Sequence, residues 1–343
     1  RAFFQNSFFM SNIDKKFIAL GIAGLTALSA YAYYHFNSST SSKMSSDAES
    51  KNVAYVFIKP HANNSKTQEL VAKTLASKSI TVLQEGEFTG EEIDAGMHID
   101  QHYYAIASKA TILPPAEIPV PAAKFEDKFG LSWETALADG LVYNAMGACK
   151  FLGVDADGLD ALWNKADKVK FGGGFYCGSI EVEGKPKIYA FNGFFMSMRS
   201  KFVTPGTSIH YYVVEFSPKD LSWSDFRGKV LGPTDPAQAP EGSLRNMMLK
   251  DWEALGMGYE PNTGDNCVHA SASPFEGLAE RMNWLKADPA NDSFGARALA
   301  AGISAATLKE WSVDPQVKGK SIFDQLEDMD ADECLAKMVE LSK

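Results

Sequence analysis

Cysteine is scarce in this 343-residue sequence, which has four, at positions 149, 177, 267 and 334. None of them forms a CxxC pair, and their density is far below that of small secreted domains stapled by disulfides. We therefore predict ordinary reduced or buried thiols.

Positive charge is also in deficit, because 33 lysines and arginines face 43 aspartates and glutamates and the formal net charge is -10. This balance does not suggest a surface broadly attractive to nucleic acid, so we expect no nucleic-acid partner and any phosphate site to be local. Hydrophobic residues make up 45% of the chain and charged residues 22%, which is the composition of a folded globular protein. The length suits two domains, or one domain enlarged by insertions.

Three candidate motifs lack a residue that their chemistry requires. The GKS at 319–321 has Asp314 where a phosphate-binding loop needs its first glycine. The acidic runs at 154–160 and 326–333 do not match the glycine and terminal-glutamate positions of a calcium loop, and they stand where helices begin. We predict helix caps there, and no metal ligands.

One long apolar run stands near the N-terminus, at residues 17–36, without a lysine, arginine or carboxylate. The run is long enough to span a bilayer. A cleaved signal sequence is the alternative, because Ala30-Tyr31-Ala32 has the small-x-small form of a cleavage site, and a buried core helix is a third. Aromatic residues at its end favour the anchor, so we predict a membrane-anchored protein whose polar linker covers residues 37–52.

Alternating apolar periodicities predict an α+β fold. Predicted strands cover 53–59, 80–88 and 208–216, and the segment 175–195 is typical of a hairpin. Predicted helices cover 64–79, 91–110 with Thr89 as N-cap, 124–169, 221–229 and 273–286. Prolines break the chain between 111 and 121, and the chain after residue 286 is mostly helical.

Two segments place phosphate-binding side chains at rigid points of the backbone. Lys59 ends an apolar strand that Pro60 stops, so its ammonium lies at the sheet edge. Thr234 stands in a loop rich in proline and glycine, and Arg245 follows it with a planar guanidinium that suits polyphosphate oxygens. Taken alone, the first segment is more typical of a solvated strand-end lysine, and the second of a surface turn with an exposed arginine.

His269 stands in the stretch NCVHASAS, directly before a predicted helix. Backbone amides and the helix dipole favour a phosphate at such a place, although a lone histidine is more often structural. Glu280 lies on the predicted helix one turn beyond Glu276, and a carboxylate aimed back at the imidazole would fix its tautomer and raise its nucleophilicity. The alternative for Glu280 is a solvated surface carboxylate. We predict that His269 is a phosphate-carrying catalytic histidine.

The order of IKP, QHY, GPTDPAQAPEGSLR, NxxH and a glutamate eleven residues after that histidine resembles the nucleoside diphosphate kinases. The resemblance covers about residues 53–110 and 208–285. It implies a ferredoxin-like antiparallel sheet with helices packed on it, in a domain at 53–285. An inserted helical and hairpin segment at 111–207 interrupts this domain, and a helical C-terminal extension follows at 286–343.

The resemblance also implies a reaction, in which a nucleoside triphosphate, with ATP the expected donor, phosphorylates the histidine and a nucleoside diphosphate collects the phosphoryl group. Magnesium would be carried by the nucleotide phosphates, and a homo-oligomer is the expected assembly. The matched positions are His269 for the phosphorylated histidine, Glu280 for its orienting carboxylate, Ser271 for the serine that supports it, Tyr103 for a tyrosine close to it, Lys59 for the strand-end lysine, Thr234 and Arg245 for phosphate ligands, and Asn266 for a ribose and phosphate contact.

Some positions depart from the family pattern. Gly228 stands where the family has a second arginine, and Arg227 next to it is the predicted substitute in the nucleotide site. Ala272 replaces an aspartate at the start of the helix. These departures motivate an alternative function, a nucleotide-binding pseudoenzyme or scaffold with little or no turnover.

The insertion contains FNGFFMSMRSKF, in which aromatic residues and methionines accompany Arg199 and Lys201. A lid, an oligomer contact or a partner surface are alternatives for this segment. We favour a hydrophobic hairpin packed on the core.

Overall fold

The computed structural model describes residues 50–343, and these form a mixed α+β structure with many helices and sheets that are antiparallel except for the pair of Val142–Asn144 and Ile188–Phe191. The strands are β1 Asn52–Ile58, β2 Thr81–Thr89, β3 Val142–Asn144, β4 Asp167–Gly172, β5 Phe175–Ile180, β6 Ile188–Phe191, β7 Ser208–Phe216, β8 Val268–Ala270, β9 Gln316–Val317 and β10 Lys320–Ser321. The α-helices are α1 Ser65–Ser77, α2 Gly90–Ala95, α3 His98–His102, α4 Tyr104–Ala107, α5 Ala122–Phe129, α6 Trp133–Ala138, α7 Ala145–Leu152, α8 Ala156–Lys165, α9 Phe195–Val203, α10 Trp223–Asp225, α11 Leu244–Lys250, α12 Pro274–Trp284, α13 Ser293–Ala300, α14 Ala305–Trp311, α15 Ile322–Leu326 and α16 Ala331–Leu341. Short 3₁₀ turns cover Pro60–Ala62, Pro115–Glu117 and Pro236–Gln238, and π-helical turns cover Ser108–Ile112 and Phe226–Leu231.

The central sheet has the strand order β2-β7-β1-β8, and every neighbouring pair is antiparallel. All seven residues of β1 are buried, because helices cover both faces of the sheet at its centre. Successive side chains of a strand point to opposite faces, so Ala54, Val56 and Ile58 pack into one cluster and Val53, Tyr55 and Phe57 into another. The first cluster includes Trp223 and Phe226, and the second includes Trp284 and Phe202.

A second sheet has the order β3-β6-β5-β4 and is built within residues 142–191. The predicted hairpin at 175–195 is confirmed by the antiparallel pairing of β5 with β6. The prediction of continuous helix over 124–169 is wrong at two places, because β3 pairs with β6 and β4 pairs with β5. β3 pairs with a strand distant in sequence, whereas β4 and β5 form a hairpin with its turn at 173–174, and in both cases strand pairing outweighs the local helical pattern.

The helix predicted over 91–110 is divided into shorter pieces. Thr89 does form the predicted cap, and its capping box with Glu92 starts α2. Met97 then adopts a left-handed conformation with φ of 48°, which ends regular helix before α3.

The prediction of a hydrophobic hairpin for the segment FNGFFMSMRSKF is wrong, because this segment forms the helix α9. Arg199 on α9 is buried and forms ion pairs with Asp100 at 3.0 Å and Asp94 at 2.6 Å. These pairs fix α9 against α2 and α3, on the side of the central sheet where Phe202 packs.

Beyond α12 the chain forms α13 to α16 and the two-residue strands β9 and β10. Their apolar side chains make one cluster that also includes Phe275 and Leu278 of α12. The four cysteines are free thiols, as predicted.

The predicted membrane anchor at 17–36, its signal-sequence alternative and most of the linker at 37–52 lie outside the described residues. Within residues 50–343, no helix combines the length and apolar character needed to cross a bilayer. We therefore correct the prediction of a membrane-anchored protein, and the membrane localisation and membrane partner are withdrawn with it.

Candidate active site

His269 lies in the middle of β8, opposite Phe57 of β1. Its imidazole stacks on the Phe57 ring with centroids 4.7 Å apart, and the edge of the His102 ring meets it at 4.5 Å. Three residues after β8, Ser273 caps α12 by accepting a hydrogen bond from the backbone N–H of Glu276. The strand, the stacked ring and the capped helix together fix the position of the imidazole.

Glu280 projects from α12 to the imidazole, and its side chain is almost fully buried. One carboxylate oxygen lies 2.5 Å from Nε2 of His269, and the other accepts a hydrogen bond of 2.5 Å from the hydroxyl of Ser271. Ser271 is itself held by the backbone N–H of Tyr55, which donates to its Oγ at 2.8 Å. An ionised carboxylate can only accept, so this arrangement places the ring proton on Nε2 and leaves Nδ1 with a free lone pair.

The pKa of His269 also keeps its ring uncharged. Burial, and then the positive charges of Lys59, Arg245 and Arg227, hold the pKa of His269 well below its ordinary value. Burial raises the pKa of Glu280 to about 7, against the opposing effect of His102. At neutral pH the imidazole is therefore uncharged, which is the state in which a histidine nitrogen acts as a nucleophile.

Two cationic side chains converge on the same place from different elements. Lys59 follows β1 and donates to the backbone oxygen of Gly264 at 3.3 Å. Arg245, on α11, donates to the backbone oxygens of Gly232 at 2.6 Å and Val268 at 2.8 Å. Burial and each cation's positively charged neighbours lower the pKa of Lys59 to about 8 and that of Arg245 to about 10. Burial is the larger cause in both, and the smaller effect, of Arg245 on Lys59 and of Arg227 on Arg245, shows local positive charge that an anion would neutralise.

We name the space between these side chains the cationic cavity, of about 550 Å³. Asn266 lines it, donating to the backbone oxygen of Thr234 at 3.1 Å, while its buried Oδ1 has no protein partner. Of the site residues predicted from the sequence, those on its walls are Lys59, Tyr103, Arg227, Thr234, Arg245, Asn266 and His269. Glu280 and Ser271 lie behind His269, so the structure brings all of the predicted residues together.

Arg227 and Gly228 belong to the π-helical turn, and both line the cationic cavity. The guanidinium of Arg227 donates from one nitrogen to Glu327 and to Asp328, each at 2.7 Å. Arg199, in contrast, forms its ion pairs with Asp94 and Asp100.

The sequence shows the acidic run at 326–333 but gives no sign that Glu327 and Asp328 pair with Arg227. The run was predicted to cap a helix, and Asp330 does precede α16. Its carboxylate makes no capping hydrogen bond to α16 and instead accepts from the backbone N–H of Trp223, the first residue of α10, at 2.8 Å. The companion prediction at 154–160 is confirmed, because Asp155 caps α8.

Two further cavities adjoin this site. One of about 270 Å³, the apolar cavity, lies beside Lys59 and is lined in part by Phe194, Met198 and Phe202. The other, of about 590 Å³, reaches His269 and Glu280 from the side of the C-terminal helices. The apolar cavity was missed because the segment that carries its aromatic wall was expected to form a hairpin.

The donor atoms of His102, His269 and Glu280 lie within 4.8 Å of one another, which makes these side chains a group that could hold a metal ion. Two imidazoles and one carboxylate suit a transition metal better than magnesium, which prefers oxygen ligands. The trio therefore does not fit magnesium, and its carriage by the nucleotide stays a prediction.

No protein-family model and no curated protein matches the chain. Among solved structures, the chain is similar to the apo nucleoside diphosphate kinase of Encephalitozoon cuniculi in its cubic form, with 13% identity, a TM-score of 0.34 and coverage of 69% of this chain and 90% of that one. The kinase of Aquifex aeolicus gives 11%, 0.34, 68% and 94% in the same order, and an NDP kinase from Pyrobaculum aerophilum gives 14%, 0.30, 68% and 96%. At these values the similarity does not assign a function.

Proposed function

We propose that this protein transfers the terminal phosphoryl group of a nucleoside triphosphate to a nucleoside diphosphate through a phosphohistidine on His269. In the first step Nδ1 of His269 attacks the terminal phosphorus, the bond from phosphorus to the bridging oxygen breaks, and a nucleoside diphosphate leaves. In the second step a terminal oxygen of another nucleoside diphosphate attacks that phosphorus and the phosphorus–nitrogen bond breaks. The imidazole is then free again.

The observation that carries the proposal is the contact of 2.5 Å between Glu280 and Nε2 of His269 at the wall of a cavity with positive charge. Phosphorylation of Nδ1 gives the ring a positive charge while the proton stays on Nε2. The carboxylate of Glu280 stabilises that charge and Ser271 holds the carboxylate in place.

Lys59 and Arg245 supply positive charge opposite the phosphates, and positioning together with charge does most of the work in phosphoryl transfer. The unpartnered Oδ1 of Asn266 is available to a ribose hydroxyl. The apolar cavity next to Lys59 has the aromatic wall that a nucleobase would contact. In this proposal the nucleotide carries its own magnesium.

The finer fold assignment belongs to the same proposal. The spatial order of the strands across the central sheet is β8-β1-β7-β2. This order and the antiparallel pairing of the strands support a ferredoxin-like core. We propose that this core spans residues 53–285, with the segment at 111–207 as an insertion and residues 286–343 as an extension.

Incubation with γ-labelled ATP tests the function. We expect a phosphoenzyme that is labile to acid and stable to base, is lost in His269→Ala, and passes its label to added nucleoside diphosphate. A wild-type protein that binds ATP but takes up no label would refute phosphotransfer.

That result would favour the second candidate, a nucleotide-binding pseudoenzyme or scaffold. Its supporting observation is the pairing of Arg227 with two carboxylates, which leaves less of its charge for a transferred phosphate. Under this alternative, calorimetry would show nucleotide binding that His269→Ala does not change.

We also propose that copies of the chain associate through β2. This strand lies at the edge of the central sheet, and Val82 and Leu83 on it are 37% and 51% exposed. Leu83→Lys should reduce the mass measured by light scattering, and Met146→Lys, at an exposed apolar side chain elsewhere, is the control. A wild-type protein that is monomeric at high concentration would contradict the assembly.

A further inference from the structure

The acidic loop, which we define as residues 327–330, joins α15 to α16 and is tied to the core at two points. The backbone N–H of Asp328 donates to the oxygen of Ala272 at 2.9 Å, directly after the strand that carries His269. Asp330 accepts the hydrogen bond from Trp223, at the start of the helix that leads to Arg227. The loop is therefore a fixed wall of the cationic cavity.

The carboxylates of the acidic loop contribute negative charge to the wall of the cationic cavity. Glu327 and Asp328 line it together with Lys59, Arg227 and Arg245. Both carboxylates pair with the same guanidinium, so the two negative charges outweigh the one positive charge at this end. Lys59 and Arg245 supply the other positive charges on the wall, and Glu276 is its third carboxylate.

We propose that the acidic loop makes the cavity select the magnesium complex of a nucleoside di- or triphosphate over the metal-free anion. The inference rests on the proposed function, because it specifies the substrate of the same site. Metal-free ATP carries about four negative charges at neutral pH and its magnesium complex about two, so the carboxylates repel the free anion more strongly. The metal charge, carried as part of the substrate, is what the acidic wall favours.

Calorimetric titration of the full chain with ADP tests this selectivity. The wild type and the double variant Glu327→Gln/Asp328→Asn are each titrated with excess Mg²⁺ and with EDTA. We expect the double variant to bind metal-free ADP roughly tenfold more tightly than the wild type does, and the magnesium complex at most about threefold more tightly. Equal factors for the two forms, or no change for either, would overturn the proposal.

The amides keep the shape of the loop and can still accept hydrogen bonds from Arg227. Each single variant should show part of the same shift, and this keeps the test available if the double variant folds poorly. The matched control is Glu310→Gln/Glu333→Gln, which removes two exposed carboxylates from α14 and α16 without touching the cavity. Its dissociation constants should stay within about twofold of wild type, because solvent screens exposed charges outside the cavity. A control that behaves like the loop variant would show a net-charge effect and refute selection by the loop.

The proposed function and the selectivity fail in different ways. A wild type that binds ADP in neither form refutes both. A wild type that binds ADP, but whose preference for the magnesium complex is unaltered in the loop variant, refutes the selectivity alone.

Discussion

Replacing Glu280 with glutamine tests the catalytic arrangement most directly. Ionised Glu280 accepts from Nε2 of His269 at 2.5 Å and from Ser271 at 2.5 Å. The amide carries no charge, and its nitrogen can donate to Nε2, which moves the ring proton to Nδ1 and blocks the nucleophile. Hydrogen bonds to charged groups contribute about 1.5–3 kcal/mol, so we expect phosphoenzyme formation to slow by about 10- to 150-fold.

The assay is single-turnover labelling by ATP, with base-stable label counted against time. Glu280 does not line the cationic cavity, so the dissociation constant for ADP should stay within about twofold of wild type. Ser271→Ala removes one support of the carboxylate and should slow labelling by about three- to tenfold. Glu253→Gln, at an exposed carboxylate, is the control. Labelling of the Glu280→Gln protein at the wild-type rate would refute the role of Glu280 in orienting and charging the imidazole.

Three further results are expected. The labelling rate should fall as the pH drops below about 7, because protonated Glu280 cannot accept from Nε2; a pH–rate profile measures this, and an acid limb that persists in Glu280→Gln would contradict the assignment. Nucleotide affinity should weaken as the pH rises through about 8, where Lys59 loses its charge; calorimetry should find this loss absent in Lys59→Arg, and an equal loss there would assign it to another group. Asp330→Ala should lower the free energy of unfolding in urea by about 2–3 kcal/mol, because it leaves polar groups of Trp223 and Asn52 without a partner, and an unchanged midpoint would exclude this.

Local signals in the sequence were sufficient for the elements that carry the site. The strand predicted at 53–59 is β1, and the helix predicted from residue 273 is α12. Thr89 and Asp155 cap helices as their spacing indicates. A cap is decided by hydrogen bonds across three or four residues and a strand by its own apolar pattern, so both can be predicted from near neighbours.

Two of the segments that were predicted wrongly depend on partners far along the chain. β3 forms by pairing with β6, where Val142 lies opposite Tyr189. The helix α9 is fixed by the pairing of Arg199 with Asp100, 99 residues earlier. Local periodicity contains no information on such partners.

The candidate site also combines residues that are close in sequence with residues that only folding brings together. His269, Ser271 and Glu280 belong to one strand–helix unit and the first and last are eleven positions apart, so their order alone indicated that they could meet. The surroundings of Arg227 were decided only by the tertiary structure, because Glu327 and Asp328 reach it from 100 and 101 residues away. Folding of the C-terminal helices onto α12 brings this acidic loop to the cavity, and charges so distant in sequence interact only when packing places them within a few ångströms.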